Sequence, residues 1–595
     1  MREGLSRPFW LALIVAVFAL PLFVGLGRTD MENDEAIYSY AVDGILATGD
    51  WLNPPLSPFE GHTFLEKPPL KFWMVAAPIK LGLLPHNELG MRVWDVVCGG
   101  IAFLYVFALG RRLSGPLCGL IAVFGLFIYD PLLFEHGLRN NNMEAPLVLA
   151  YVGGVYHYIA WASPDRQRRR VAHAAAVAAY FFLGFMTKFV AALFLPVLLG
   201  AATVLHWPVL RKAISEWRLW IAMAAAFLAA ALPWFAYEYW REGNGFLRVM
   251  FAEHVYQRFT TSLDPGHIHP WNFYYVTIFK QLGYDGLQWL AVGGCLLLAA
   301  VAIWRPSFEK TAILSWLVIP LALMSVGSSK LHHYAYPFLP PLMLAMGFGP
   351  GWVVSETKGY VDAALTWGHR RFAAWRGEGA GMRTAFLVLA AICVATGIAT
   401  LLLGTVQIRW GGHDLFRNSH VARPLVLAII LATLAGRGPA AAHVLVPAVV
   451  FVSLMPIASY GDALTYMRQE RHPLRTARDC LLGVRRAELA AGHEAPGIYA
   501  VGEARWFLHP YYYYFRDVGG WERSESVDIG RVDRGLFSPG AQRPLLLPDD
   551  AYQSVKARRA AELTAVPVLP LRGVMLLTPG PYAGCAPKLA PLASQ

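Results

Sequence analysis

The segment Glu32-Asn33-Asp34-Glu35-Ala36-Ile37-Tyr38 sets three carboxylates directly after an apolar run, and Phe64-Leu65-Glu66-Lys67-Pro68-Pro69 follows in the same polar stretch. A carboxylate at such a boundary is ordinarily a solvated loop charge. Its other reading is a general base that takes the proton from a hydroxyl as that hydroxyl attacks. A base of that kind works with cations that meet the negative charge growing on a leaving phosphate. The sequence offers Lys67, Lys188 and Lys330, from three widely separated segments. One lysine at a helix end is normally an anchor whose stem lies along lipid. Two of these three stand in otherwise apolar turns, Gly184-Phe185-Met186-Thr187-Lys188 and Ser328-Ser329-Lys330-Leu331, which weakens the anchor reading. Glu253-His254, Arg258-Phe259 and Gly266-His267-Ile268-His269-Pro270-Trp271 lie together in a later polar stretch. Its two histidines at i and i+2, with a carboxylate such as Glu66, suit a divalent metal (Zn, Mg or Mn), although an unliganded loop histidine is the commoner case.

These groups must be carried by membrane helices. The 595-residue chain is 56% hydrophobic and only 15% charged, whereas a soluble globular surface needs about a quarter charged residues. Apolar runs of about 20 residues, the length that spans a bilayer as a helix, recur through the first three quarters. The 20 Trp, 26 Tyr and 33 Phe suit membrane interfaces. The net charge of +11 is spread over short loops and not gathered in one domain, which excludes nucleic acid as the expected partner. The first run, from Phe9 to about Gly27, follows Arg2 and Arg7 and has no small-residue cleavage site, so it reads as a retained helix.

With Arg2 and Arg7 on the cytoplasmic side, the basic loops fall on one face as the positive-inside rule requires, the clearest being Asp165-Arg166-Gln167-Arg168-Arg169-Arg170. Two spans meet outside at Thr187-Lys188, and large external loops occupy residues 28–90 and 239–282. The expected total is about thirteen transmembrane helices. Residues 1–459 then form the membrane domain and 460–595 a small soluble domain on the extracytoplasmic side. In that second part β-like runs (Gly497–Val501, Pro544–Leu547, Val574–Leu577) alternate with helix-like, Arg-rich stretches, an α/β pattern. The six cysteines show no metal spacing. Cys480 and Cys585 fall in the external part, where an oxidising compartment permits a disulfide, and two free thiols is the alternative.

Asp34-Glu35-Ala36 with Tyr38, the run Leu46–Trp51 and Glu66-Lys67-Pro68 resemble the first-loop signature of bacterial relatives of the dolichyl-phosphate-mannose-protein mannosyltransferases. Within that group the likeness is greatest to the 4-amino-4-deoxy-L-arabinose lipid A transferases. Further matches keep their order: Glu144-Ala145-Pro146-Leu147, Gly184–Lys188, Glu253 to Phe259, His267 to Tyr275, and Lys330-Leu331-His332-His333-Tyr334. The resemblance covers residues 5–350. It implies a GT-C fold and an inverting transfer from an undecaprenyl- or decaprenyl-phospho-sugar donor to lipid A, another glycan or protein. By position it implies Asp34 as the catalytic carboxylate, with Glu35 and Glu144 as the other acidic candidates. Lys67 becomes the donor-phosphate ligand, with Lys188, Lys330, Arg258 and Tyr334 as further phosphate-binding candidates. Glu66 and His267 match metal-holding positions, and no nucleotide cofactor is implied. The sequence departs from the pattern at Glu144, where an aspartate is usual, at His332, where a proline is common, and at Phe189, where a glycine often follows the lysine.

Two other function classes remain open. A transporter or flippase of polyprenyl-linked precursors is expected to show repeats, broken helices and polar groups near the bilayer midplane. This sequence places its polar clusters at one face and shows no repeat. A structural scaffold leaves the acidic pair and the three lysines without a task.

Overall fold

The computed structural model describes residues 6–55, 63–261, 265–376, 380–411, 413–435, 442–501, 509–519, 522–524, 528–538, 540, 542–571 and 573–586. The protein is a multi-pass α-helical membrane protein. Among the described residues, six helices are long and apolar enough to cross a bilayer: Glu88–Leu113, Arg170–Val204, Trp217–Glu242, Phe308–Val326, His332–Glu356 and Gly381–Leu403. The bent pair Pro447–Leu454 and Ala458–Arg468, turned by 65°, makes a seventh when taken as one span. Four shorter apolar helices accompany them: Trp10–Phe23, Pro116–Ile128, Gln288–Trp304 and Ala422–Ala435. Among the described residues the long apolar helices are thus fewer than the thirteen expected. Two of the thirteen, expected to meet at Thr187-Lys188, form one helical stretch that is interrupted by the single 3₁₀ turn Phe189–Ala192. The first changes from α to π at Val15–Ala19 and to 3₁₀ at Leu20–Phe23, where Pro21 removes a backbone donor.

The chain divides into two compact units. The larger contains Met1–Val24, Leu65–Met74 and Val93–Arg468. Its centre is aromatic: Phe18 lies within 5.4–6.3 Å of the rings of Phe103, Phe127, Phe451 and Tyr460. Rings at that spacing add about 0.5–1.5 kcal/mol per pair beyond the area they bury. The helix Pro116–Ile128 is buried from Leu117 to its end. It comes so close to Glu88–Leu113 that a Cβ on Gly119 would stand 2.5 Å from the Phe107 carbonyl, a spacing only glycine allows. A hairpin of β1 (Val406–Trp410) and β2 (His413–Asn418) follows the last long span.

The second unit contains Gly25–Phe64, Val75–Arg92 and Gln469–Gln595. The sequence divides the chain near residue 460. In the structure the first polar stretch folds with the C-terminal residues instead. Thr29 bridges to Arg471, with Asp30 N donating to the Arg471 carbonyl at 2.9 Å and Arg471 N to the Arg28 carbonyl at 2.8 Å. The unit holds a five-stranded sheet of β3 (Tyr499–Val501), β4 (Glu522–Ser524), β5 (Leu545–Pro548), β6 (Val568–Leu571) and β7 (Val574–Leu577), in the order β4-β3-β5-β7-β6. β3 is parallel to both neighbours, whereas β7 is antiparallel to β5 and β6. The three β-like runs of the sequence supply β3, β5 and β7. Its core joins Tyr499, Val501, Leu545, Leu547 and Leu577 of the sheet to Val532, Leu536, Val555 and Leu563 of helices. Cys480 and Cys585 are joined as a disulfide across 105 residues, which resolves the open pairing.

Candidate active site

In the second unit Asp34 stands in the first turn of the helix Asn33–Thr48, half-buried. The positive end of the helix dipole favours a carboxylate there. Its neighbour Glu35 is fully buried. Glu35 accepts from Arg92 Nε and Nη2, both at 2.7 Å, and from the Glu32 N–H at 3.0 Å. Arg92 donates further to the carbonyls of Leu26, Thr29 and Asp30 at 2.9–3.0 Å. One guanidinium thus fixes both the turn before the helix and the helix start, and two adjacent acids acquire different surroundings. Gly49 at φ 76° ends the helix in the left-handed conformation that glycine takes without strain.

In the larger unit the structure brings Glu144, Lys188 and Tyr334 together. Glu144 begins the helix Glu144–Ala162, and Lys188 is the last residue of Arg170–Lys188. Their charged groups form an ion pair. The Lys188 ammonium also lies 5.3 Å from the centre of the Tyr334 ring, a cation–π distance. His333 Nε2 is 3.7 Å from the same Glu144 oxygen, and the His136 ring stacks on His333 at 4.5 Å. His332 Nε2 is 3.1 Å from Glu135 Oε2. Phe189, directly after Lys188, has φ 42° and ψ −108°, a conformation costly for a residue with a Cβ. It is held there by the rings of Phe185, Phe235 and Phe251, 5.0–5.3 Å away. A phenylalanine in this conformation thus rests in an aromatic socket.

The other expected cations are divided in role. Lys67 is half-buried, with its ammonium 3.4 Å from the Glu66 carbonyl and 4.0 Å from the Glu66 carboxylate. Glu66 also faces His254, at 3.6 Å. Lys330 is buried and donates to the carbonyls of Gly327 at 2.5 Å and His269 at 2.9 Å, while its backbone N–H donates to the His267 carbonyl at 2.8 Å. Burial lowers its pKa. Lys330 therefore stitches the segment around His267 to Ser329, which pairs with Ile268. Arg258 opens the short helix Arg258–Thr260, and its side chain lies outside the described residues. Glu66 and His267 do not form a metal centre: among the described residues no group of three or more His, Cys, Asp or Glu could hold an ion. The Glu66 carboxylate has the cationic Lys67 beside it, at 4.0 Å, which competes with a metal.

Sequence reasoning missed the buried residues behind these groups. Lys71 donates to Asp95 Oδ2 at 2.6 Å and to Asn141 Oδ1 at 3.0 Å, with both charges almost fully buried. The bond joins the segment of Lys67 to a long span and to the turn that precedes Glu144. Arg139 donates to the carbonyls of Leu22 at 2.7 Å and Val24 at 2.8 Å, satisfying the end of the first helix. The available signal was a charge inside an apolar run, which requires a partner.

Residues 66–237 match the family model described as dolichyl-phosphate-mannose-protein mannosyltransferase. The chain is 28% identical over 319 residues to an undecaprenyl phosphate-alpha-4-amino-4-deoxy-L-arabinose arabinosyl transferase 1 of Pseudomonas fluorescens, covering 53% of this chain and 52% of that protein. It is 30% identical over 349 residues to the transferase of that name from Sodalis glossinidius, covering 57% and 58%. The matches thus span little more than half the length of these relatives. In fold the chain is similar to the crystal structure of ArnT from Cupriavidus metallidurans bound to undecaprenyl phosphate, with a TM-score of 0.57 and 18% identity over 96% of this chain and 97% of that one. The apo structure gives 0.57 and 17% over 98% and 99%. The GT-C fold expected from the sequence is the fold present.

Proposed function

We propose that the protein is an inverting glycosyltransferase of the bacterial inner membrane. It moves a sugar from an undecaprenyl- or decaprenyl-phosphate carrier to an envelope acceptor such as lipid A, another glycan or protein. The observation that carries this reading is likeness in fold to ArnT over almost the whole chain, together with a half-buried carboxylate, Asp34, next to Glu35, which pairs with Arg92 and is fully buried.

In the proposed reaction the acceptor oxygen attacks the anomeric carbon from the face opposite the phosphate, and Asp34 takes the hydroxyl proton. The carbon–oxygen bond to the phosphate breaks, and polyprenyl phosphate leaves with the electron pair. Lys67 and Lys188 meet that charge, with Arg258 as a further ligand. Glu144 and the Tyr334 ring aim Lys188, while Glu35 and Lys330 act as structural residues. The donor's negative charge displaces Glu144 from Lys188, an exchange of one anion for another that costs less than baring the lysine. The disulfide supports an extracytoplasmic place for the second unit, since oxidising compartments preserve such bonds. About thirteen passages of the chain remain the proposed topology.

The test compares Asp34→Asn with Lys67→Ala in liposomes supplied with undecaprenyl phosphate-α-4-amino-4-deoxy-L-arabinose and lipid A. Loss of a general base lowers the rate by about 10²–10⁴, and donor binding survives. Lys67→Ala lowers both donor affinity and turnover, because a charge-assisted contact is roughly twice as strong as a neutral one. Near-wild-type transfer by Asp34→Asn refutes the catalytic assignment. Lipid movement without any glycosylated product identifies a flippase instead.

A further inference from the structure

The helix His509–Phe515, sequence HPYYYYF, has no task in the reaction above, yet it is attached at three points to the residues around Asp34. Tyr514 Oη accepts from the Met31 N–H at 2.9 Å and donates to Glu88 Oε1 at 2.8 Å. Glu88 is itself held by Arg475 at 3.1 Å. The His509 carbonyl accepts from Tyr40 Oη at 2.7 Å, and Arg516 donates to Asp43 Oδ2 at 2.5 Å while lying 4.7 Å from the centre of the Tyr513 ring. Two of these bonds land on the middle of the helix Asn33–Thr48, at Tyr40 and Asp43. The Tyr514 bond lands three residues before Asp34, in the turn that sets where the carboxylate points. Met31 is buried, so its N–H has to find a partner within the protein.

We propose that the His509–Phe515 helix is the positioning element for the Asp34 carboxylate, with Tyr514 fixing the turn in front of it and His509 setting its surroundings. The proposal rests on Asp34 as the base. A transferase loses rate when a reacting group shifts by even an ångström, about 10²-fold in severe cases. A buried hydroxyl that both accepts from a main-chain N–H and donates to a held carboxylate has one geometry, and passes that geometry to its neighbours. His509 adds an electrostatic link. Burial pushes its imidazole pKa down to about 4, and the charge of Asp34 opposes that fall. Asp34 and Tyr40 are titratable groups that face it. At neutral pH the ring is uncharged, so it adds no cation that would hold Asp34 ionised and weaken it as a base.

The experiment uses the full chain in liposomes with undecaprenyl phosphate-α-4-amino-4-deoxy-L-arabinose and lipid A, alongside hydrogen exchange of residues 31–35. Tyr514→Phe removes one oxygen. Its kcat falls by about 10- to 100-fold while the donor KM stays within about twofold, and the Met31 amide exchanges faster. Asp43→Asn cuts the clamp at its far end. It lowers thermal stability but leaves kcat within about twofold, which a purely structural helix would not separate. If Tyr514→Phe does not accumulate, His509→Gln carries the test, with lowered kcat and a displaced acid limb of the kcat–pH profile. Wild-type kcat and pH profile in both variants, with Asp34→Asn inactive, overturn the inference and leave the proposed function standing. An active Asp34→Asn removes the proposed function first, and this inference with it.

Discussion

Asp34 and Lys188 are both expected site residues at helix ends, but they are held in opposite ways. The helix of Asp34 is fixed by Arg92 through Glu35 and by partners more than 400 residues away, through Asp30, Tyr40 and Met31 to the segment 471–516. Lys188 is held by Glu144, 44 residues earlier, and by the ring of Tyr334 from a third segment of the same unit. One site residue depends on the chain's last quarter folding, the other on neighbouring membrane helices. A base must keep its place within fractions of an ångström, whereas a cation that attracts a phosphate acts through a field that falls off gradually. The stricter task has the more elaborate support.

The comparison breaks or sharpens on variants that cut one support at a time. The largest effect is expected for Arg92→Met, which leaves the Glu35 carboxylate buried without its partner and frees three carbonyls. Breaking such a pair costs about 3–5 kcal/mol. Hydrogen exchange should rise sharply in the helix Asn33–Thr48 and stay near wild type in Glu144–Ala162. Equal loosening of both helices would show that the two supports are one.

Next in size is Lys71→Met, which removes the cation paired with the buried Asp95 and costs about 3 kcal/mol or more, read as a lowered melting temperature. Adding Asp95→Leu should restore much of that loss, because apolar replacement of a whole buried pair is often neutral. The double variant then asks whether Lys67 stays in place without the bond to Asn141. A donor KM unchanged from wild type says it does.

The sequence made some of this legible and hid the rest for a definite reason. Glu144 and Tyr334 follow only from the family resemblance, whereas Lys188 is legible because a cation in an otherwise apolar turn needs an explanation. Asp34 is legible as a carboxylate just after an apolar run. Arg92, Lys71 and Asp95 sit inside apolar runs and were passed over, although a charge there demands a partner. Tyr514 and Asp30 were beyond reach: nothing in the spacing of a tyrosine run shows that one hydroxyl meets the N–H of Met31. The break at Phe189 was hidden too, since a phenylalanine gives no local sign of positive φ. For Glu66 and His267 the sequence offers two ligands in polar loops, and among the described residues no group of three or more His, Cys, Asp or Glu gathers to hold an ion.

The smallest effect concerns Asp30, which accepts from the backbone N–H groups of Leu474 at 2.6 Å and Arg475 at 3.4 Å. Burial raises its pKa from 3.8 to about 6, against those two hydrogen bonds. Because the folded value lies above the unfolded one, the folded state binds the proton more tightly. The stability that this gives is fully present below about pH 4, and it is lost as pH rises through about 6. Asp30→Asn retains an oxygen for the Leu474 N–H and carries no charge to bury. It should therefore be more stable than wild type at pH 7, by about 2–3 kcal/mol for a shift of this size. The difference should shrink on acidification and vanish near pH 4. Denaturation of both proteins in detergent across pH 4–8 measures it, and a difference that grows toward low pH would show that Asp30 is stabilised as the anion. That outcome would reverse the comparison, making the long-range support of Asp34 an ionic one like that of Lys188.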